Sequence, residues 1–191
     1  MATGTEWLSA RGLAAFAGGA VAAVIASRIL PPLLAQAAER AGAAAGRDPF
    51  DALARDHRII LGLLEGMERS DPRAVARRTQ LLLRLKRRLA AHALAEEDVV
   101  YPLLYHRAGA TDDTRHLYGE HAEMKMRLFT LEQMPKDDPR WSVLAGELRQ
   151  LIARHARQEE EVDFPRLRAR LDGRAAARLS GSVQREKALV L

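Results

Sequence analysis

The sequence predicts an all-α fold, an antiparallel up-down-up-down four-helix bundle preceded by an additional apolar helix. Leu, Ala, Arg and Glu dominate the 191 residues, and all four favour helices. Apolar residues recur at helical spacing in four segments between about residues 48 and 164, joined by short loops as in a bundle. The segments His92–Pro102 and His155–Pro165 both read H-A-x-x-E-E-x-V-x-[YF]-P, which indicates a repeated helical hairpin.

The first section, residues 1–46, is predicted to be an apolar helix followed by a linker. Residues 12–26 form an uncharged run of 15 residues, whereas a membrane span needs roughly 20 residues. Arg28 interrupts the apolar character, which then continues to about residue 38. Three interpretations stay open: a membrane anchor over residues 12–38, a cleaved signal peptide, or a helix that packs on the protein or a partner. The predicted location is accordingly membrane-associated or cytoplasmic.

The bundle is predicted over residues 47–168, with residues 169–191 forming a short helix and a C-terminal tail. The four predicted helices cover about residues 48–69, 72–100, 111–134 and 139–164. Asp71 and Pro72 suit the start of the second helix, because Asp caps helices and Pro is tolerated in the first turn. The Tyr-Pro pair at Tyr101 is predicted to end the second helix, and Thr111–Thr114 to cap the third.

Four of the six histidines fall on predicted inward faces, one on each helix: His57, His92, His121 and His155. The first and third come about eight residues after their helices begin, and the second and fourth about eight residues before theirs end. In an antiparallel bundle these positions share one level, about 12 Å from one end. Glu96 and Glu159 each follow a histidine by four residues, which places each pair on one helix face. Each half is therefore predicted to send a histidine–glutamate pair to the same place.

A cluster of four histidines and two glutamates favours metal binding over a purely structural role. An unpaired buried carboxylate costs several kcal/mol, and two neighbouring carboxylates repel. The chain has no cysteine, so imidazole and carboxylate groups must hold the ion, and these suit iron, zinc, copper or manganese. With two octahedral ions, about four coordination positions would stay open for water, a bridging oxygen atom or an external ligand.

These residues resemble the hemerythrin-like family of HHE cation-binding domains. The resemblance rests on Asp56–His57, Glu120–His121 and the two repeated segments, which together span about 110 residues. It implies a four-helix bundle with two non-haem iron ions, bridged by an oxo or hydroxo group and by carboxylates, that binds oxygen. The implied metal ligands are His57, His92, Glu96, His121, His155 and Glu159, with both glutamates bridging.

The chain departs from the oxygen-carrying hemerythrins at two positions. Those proteins place a further histidine four residues after the third-helix histidine, where this chain has Lys125. They place the last carboxylate five residues after the fourth-helix histidine, which would be Glu160 instead of Glu159. Tyr118 is a candidate for the missing ligand or an ordinary bundle tyrosine. Glu97 and Glu160 are alternative ligands, hydrogen-bond partners of ligands, or solvent-facing residues.

The expected function is binding of oxygen, or a related ligand such as nitric oxide, for sensing, storage or delivery. The alternatives are a di-iron oxidoreductase acting on peroxide or nitric oxide, and an iron-binding sensor or buffer whose folding depends on the metal. A binding protein is favoured over an enzyme, and no catalytic residue or organic cofactor is predicted. The formal net charge of +5 suits an arginine-rich solvated surface. No segment matches a nucleic-acid-reading motif, so nucleic acid is not an expected partner.

Overall fold

The structure, a computed structural model, describes residues 31–41 and 48–190. The prediction of an all-helical bundle is confirmed: within those residues the chain forms helices and turns and no β-strand. The helices are α1 (residues 31–41), α2 (Pro49–Glu68), α3 (Val75–Ala95), α4 (Tyr101–Ala108), α5 (Thr111–Gln133), α6 (Arg140–Gln158), α7 (Phe164–Arg168) and α8 (Gly173–Val190).

The bundle is built from two hairpins, α2–α3 and α5–α6, which pack together through α2 and α6. Asp48 caps α2 by accepting hydrogen bonds from the backbone N–H groups of Phe50 and Asp51, which stabilises the start of the helix. The start of α5 differs from the prediction, because Ala110 occupies the cap position and makes no side-chain cap hydrogen bond. The starts of α2, α3 and α6 fall within a few residues of the predicted ones.

Two apolar clusters fill the core, one at each end of the bundle. The first lies towards the two hairpin loops and includes Leu64, Met67, Leu85, Leu131, Trp141 and Leu148. The second lies at the other end and includes Leu53, Leu104, Leu117, Phe164, Leu179 and Val183. The buried histidines and glutamates lie along the helices between these clusters, so the polar site is enclosed by apolar side chains on both sides.

The sequence predicts that the two repeated segments end their helices at the Tyr-Pro and Phe-Pro pairs, and this prediction is wrong. Instead, π-helical turns at Glu96–Val100 and Glu159–Asp163 follow α3 and α6, and the helical backbone continues into α4 and α7. Pro102 and Pro165 have no backbone N–H group to donate to the helix. They lie directly after these wider turns, where the pattern of backbone hydrogen bonds already differs from that of an α-helix. The continued helix ends at Gly109, whose φ of 64° suits a residue without a side chain.

The C-terminal region also differs from the expected short helix and tail. Residues Gly173–Val190 form one helix of 18 residues, α8. It packs mainly against α3, and Leu179 and Val183 belong to the second apolar cluster. Lys187 from its last turn is buried and pairs with Asp56 of α2. Helix α8 is therefore part of the folded unit and reaches the polar site.

The predicted N-terminal apolar helix falls mostly on residues outside the described part of the chain. Residues 31–41 are helical, Ala35 is buried, and Glu39 forms an ion pair with Arg185 of α8 at 3.6 Å. Among the described helices, none has both the length and the apolar character that crossing a membrane requires. The anchor over residues 12–38 therefore stays a prediction.

Candidate metal centre

The structure brings the six predicted ligand side chains together between the two apolar clusters. All six are almost fully buried: His57, His92, Glu96, His121, His155 and Glu159. Their donor atoms fall into two groups with metal-binding geometry, in each of which the atoms lie within 4.8 Å of one another. One group comprises His57, His92, Glu96 and Glu159, and the other comprises Glu96, His121 and His155. Their role as ligands stays a prediction that this geometry supports.

The two glutamates lie between histidines that come from different hairpins. Oε2 of Glu96 is 3.1 Å from Nε2 of His92 and 3.5 Å from Nε2 of His121. Oε2 of Glu159 is 3.2 Å from Nε2 of His57 and 3.4 Å from Nε2 of His155. Each carboxylate thus faces both halves of the repeat, which is the position that a bridging ligand requires.

Several of these buried atoms have no hydrogen-bond partner among the described residues. They are Nε2 of His57, both ring nitrogens of His92, both carboxylate oxygens of Glu96 and Oε2 of Glu159. A buried polar atom without a partner costs about 1–3 kcal/mol, and more if it is charged. Cations would satisfy these lone pairs together, and a set of imidazole nitrogens and carboxylate oxygens suits iron. The residues therefore fit a metal centre.

Four further carboxylates support the histidines from outside. Glu160, Glu97 and Glu120 accept hydrogen bonds from Nδ1 of His57, His121 and His155 at 2.7–2.8 Å. Asp56 is the nearest carboxylate to Nδ1 of His92, at 3.8 Å. The three hydrogen bonds fix the rings of His57, His121 and His155 so that Nε2 points inward, which is the usual arrangement around metal-binding histidines. All four supporting carboxylates are adjacent in sequence to a predicted ligand. This adjacency could have predicted Asp56 and Glu120 as partners of the histidines, a role that the sequence analysis did not give them.

Burial and like charge make Glu96 and Glu159 an electrostatically strained pair. Burial raises the pKa of Glu96 well above its usual range, and the neighbouring charge of Glu159 raises it further. Burial also acts to raise the pKa of Glu159, but the charge and hydrogen bond of His155 outweigh it and hold that pKa well below its usual range. One proton shared by the cluster would therefore reside on Glu96. Bound cations would replace that proton and allow both carboxylates to be ionised.

Tyr101 is a site residue that sequence analysis missed. Its side chain is fully buried, and its hydroxyl donates a hydrogen bond to Oε1 of Glu159 at 2.8 Å. The hydroxyl is also 3.0 Å from Nε2 of His121. Burial and the nearby carboxylates raise the pKa of Tyr101 well above its usual range. At the equivalent position in the other hairpin, Phe164 stacks on the ring of His57 at an interplanar angle of 3°.

The three further candidates lie outside the inner cluster. The Tyr118 hydroxyl donates to the backbone carbonyl of Glu97 at 2.7 Å, and the side chain is 40 % exposed. Glu97 and Glu160 accept hydrogen bonds from His121 and His57, as described above, so the structure places them as partners of the histidines. The hydrogen bond from His121 lowers the pKa of Glu97 to about 2, and Lys125 adds to this effect.

Comparison with known proteins agrees with this geometry. The family model for the hemerythrin HHE cation binding domain matches residues 48–167. A DNA nickase of Nostoc sp. is 30 % identical over 122 residues, which is 63 % of this chain and 34 % of the nickase, so the chain spans about a third of that protein. An uncharacterized hemerythrin-like protein of Schizosaccharomyces pombe is 26 % identical over 145 residues, covering 73 % of this chain and 69 % of the yeast protein.

No solved structure matches the chain significantly. The family match covers more than half of the chain and contains every residue of the two donor groups. The chain therefore belongs to the hemerythrin family of HHE cation-binding domains.

Proposed function

We propose that the chain is a non-haem di-iron protein that binds oxygen or a related small ligand for sensing, storage or delivery. The observation that carries this proposal is a set of buried nitrogen and oxygen atoms at the meeting point of the two hairpins, which have no hydrogen-bond partner in the described part of the chain. Membership of a cation-binding family supports the presence of metal. The donor set of imidazole and carboxylate groups is compatible with iron, and the resemblance to hemerythrins favours iron among the metals that such donors bind.

Two donor groups that share Glu96 support a count of two ions. His57, His92, Glu96 and Glu159 would hold one ion, and Glu96, His121 and His155 the other. The supporting carboxylates hold the imidazole rings in place, and the apolar clusters on both sides limit the entry of water. Reduced iron would supply the electrons that make oxygen binding reversible.

The proposal is tested by measuring iron content and optical spectra of the full chain. Protein produced with iron, reduced without oxygen and then exposed to oxygen, should contain about two irons per chain, as expected for two metal groups. New absorption bands should appear with oxygen and disappear when oxygen is removed. Iron without reversible bands would overturn oxygen binding and favour an oxidoreductase acting on peroxide or nitric oxide, or an iron sensor. Protein without iron would overturn the metal centre.

A double variant tests the ligands themselves. His92→Ala combined with Glu96→Ala removes a histidine from one group and the glutamate that both groups share. We expect loss of binding at both positions, measured as iron per chain. His106→Ala is the matched control, because His106 is exposed and lies outside both groups. Unchanged iron content in the double variant would contradict the ligand assignment.

A further inference from the structure

The hydroxyl of Tyr101 reaches the smaller of the two donor groups. Its oxygen lies 3.0 Å from Nε2 of His121 and 3.4 Å from Nε2 of His155. These are the atoms that would bind the ion in that group, and their own separation is 3.2 Å. The phenol oxygen therefore lies among the donor atoms and is not a peripheral contact.

The π-helical turn brings Tyr101 to this position. The backbone N–H of Tyr101 donates to the carbonyl of Glu96, five residues earlier. An i→i+5 turn places the fifth residue above the first on the same side of the helix, whereas an α-helix would turn it away. Tyr101 thus points to the same region as Glu96. The π-helical turn also explains how a residue that immediately precedes a proline takes part in the site.

Tyr101 adds an oxygen donor to the smaller of the two donor groups. His57, His92, Glu96 and Glu159 form a group of four, whereas Glu96, His121 and His155 form a group of three. We propose that the phenol oxygen of Tyr101 is a ligand of the ion held by His121 and His155. This inference rests on the proposed iron centre, and it gives the two ions different ligand sets.

Coordination of the phenol exchanges one bond for another without any change of oxidation state. The O–H bond of Tyr101, which donates to Oε1 of Glu159 in the metal-free site, breaks as the oxygen binds the ion, and the proton is released to solvent, as metal binding releases protons from other ligands. The oxygen then uses a lone pair to bind the ion. An anionic oxygen donor is a suitable ligand for ferric iron, which prefers such donors to neutral or sulfur ligands.

The other hairpin offers no equivalent oxygen. Phe164 occupies the matching position after the second π-helical turn and contacts His57 through its ring face. Tyrosine therefore lies beside one donor group and phenylalanine beside the other, which is a chemical difference between the two sites. It assigns the extra ligand to the ion nearer His121 and His155.

The experiment compares the full chain loaded with ferric iron with its tyrosine variants. The chain contains three tyrosines, Tyr101, Tyr105 and Tyr118. Resonance Raman spectra excited in the visible absorption band should show phenolate vibrations in the native chain. Tyr101→Phe should lose both the band and these vibrations. The double variant Tyr105→Phe with Tyr118→Phe should keep them, because the two side chains are 45 % and 40 % exposed and lie outside the donor groups.

The double variant makes the test independent of whether Tyr101→Phe folds. Tyr101 is the remaining tyrosine there, so a phenolate signal from that protein must come from it. Native protein that contains iron but gives no phenolate vibrations would overturn this inference and leave the iron centre standing. Loss of the signal in the double variant would overturn it as well. A chain that binds no iron would overturn both proposals.

Discussion

In the hairpin α2–α3, His92 of the repeated segment lies next to a buried carboxylate, which in turn forms an ion pair with a buried lysine. Asp56 faces His92 and pairs with Lys187 from α8. In the hairpin α5–α6, the equivalent His155 donates instead to Glu120, at 2.8 Å, on a more open side of the bundle. Burial lowers the pKa of His92 to about 4, and Asp56 opposes this effect only in part. Burial acts the same way on His155, but Glu159 and Glu120 outweigh it and raise its pKa to about 9.

The two hairpins therefore repeat the same donor atoms, but the side chains that surround those atoms differ between the hairpins. Helix α8 covers one hairpin and has no counterpart on the other among the described residues. Burial acts to raise the pKa of Asp56, but the interactions with His92 and with Lys187 of α8 outweigh it and lower that pKa to about 2. Two donor groups of similar geometry can therefore differ in charge, and the iron ions they hold would differ in redox behaviour.

The largest expected effect comes from removing the charge of Asp56. Asp56→Asn leaves Lys187 buried without its carboxylate, and breaking such a buried pair costs about 3–5 kcal/mol. Iron affinity should also fall about 10–100-fold, because the variant weakens the support of His92. Urea unfolding and metal titration measure the two effects.

Glu120→Gln is the matched variant in the other hairpin. Glu120 is 15 % exposed and pairs with the exposed His116 and with the buried His155. A glutamine at this position can still accept the hydrogen bond from Nδ1 of His155, and in the iron-loaded chain that imidazole is neutral because its Nε2 binds the ion. We expect a loss of unfolding free energy below about 1 kcal/mol, together with a similar decrease in iron affinity. Adding Lys187→Met to Asp56→Asn should recover part of the lost stability. Equal destabilisation by Asp56→Asn and Glu120→Gln would contradict the role assigned to α8.

Helical periodicity and hairpin symmetry were sufficient to predict the bundle and the inner cluster. The four histidines and two glutamates occupy apolar positions of a 3.6-residue repeat, so their convergence follows from the sequence. Tyr101 was not predicted as a site residue because a π-helical turn brings it near Glu96, whereas α-helical spacing turns that position away. The contact of Lys187 with Asp56 was not predicted for another reason, because the two residues are 131 positions apart in the sequence. No local pattern indicates a contact of that range.

A second difference between the hairpins gives a smaller expected effect. Ala95 and Val100 are buried in the first repeated segment, where the second has Gln158 and Asp163. Gln158 donates to Oδ2 of Asp163 at 3.3 Å, while Oδ1 of Asp163 is buried without a hydrogen-bond partner in the described structure. Burial raises the pKa of Asp163 to about 6 from its usual value of 3.8. An ionised Asp163 therefore destabilises the fold at neutral pH.

Replacing this pair by Gln158→Ala and Asp163→Val should stabilise the protein by about 1–3 kcal/mol at pH 8. The sign follows from the raised pKa: the folded state holds the proton more tightly, so the native chain loses stability as the pH rises from about 4 through 6. The advantage of the variant should grow over that interval and level off above about pH 7. Urea unfolding of both chains, prepared identically at a series of pH values, measures it. An advantage that does not change with pH would assign the effect to packing alone.

The smallest effect is expected at Lys125, four residues after His121, where oxygen-carrying hemerythrins have a histidine. Lys125 is 60 % exposed, and its ammonium group lies 2.7 Å from Oε1 of Glu97. A histidine there would lie near Glu97 on the outside, because the hydroxyl of Tyr101 already occupies the space beside His121. Lys125→His should change the unfolding free energy by less than about 1 kcal/mol, the usual contribution of an exposed ion pair.

Iron content and the optical spectrum should also stay unchanged in Lys125→His. The same substitution in a chain that carries Tyr101→Phe makes the sharper test, because the phenol no longer occupies the space beside His121. If a histidine at position 125 then restores iron binding lost with the phenol, the two side chains are alternative ligands for one position. If it restores nothing, the outward direction of residue 125, set by its contact with Glu97, prevents it from reaching the ion.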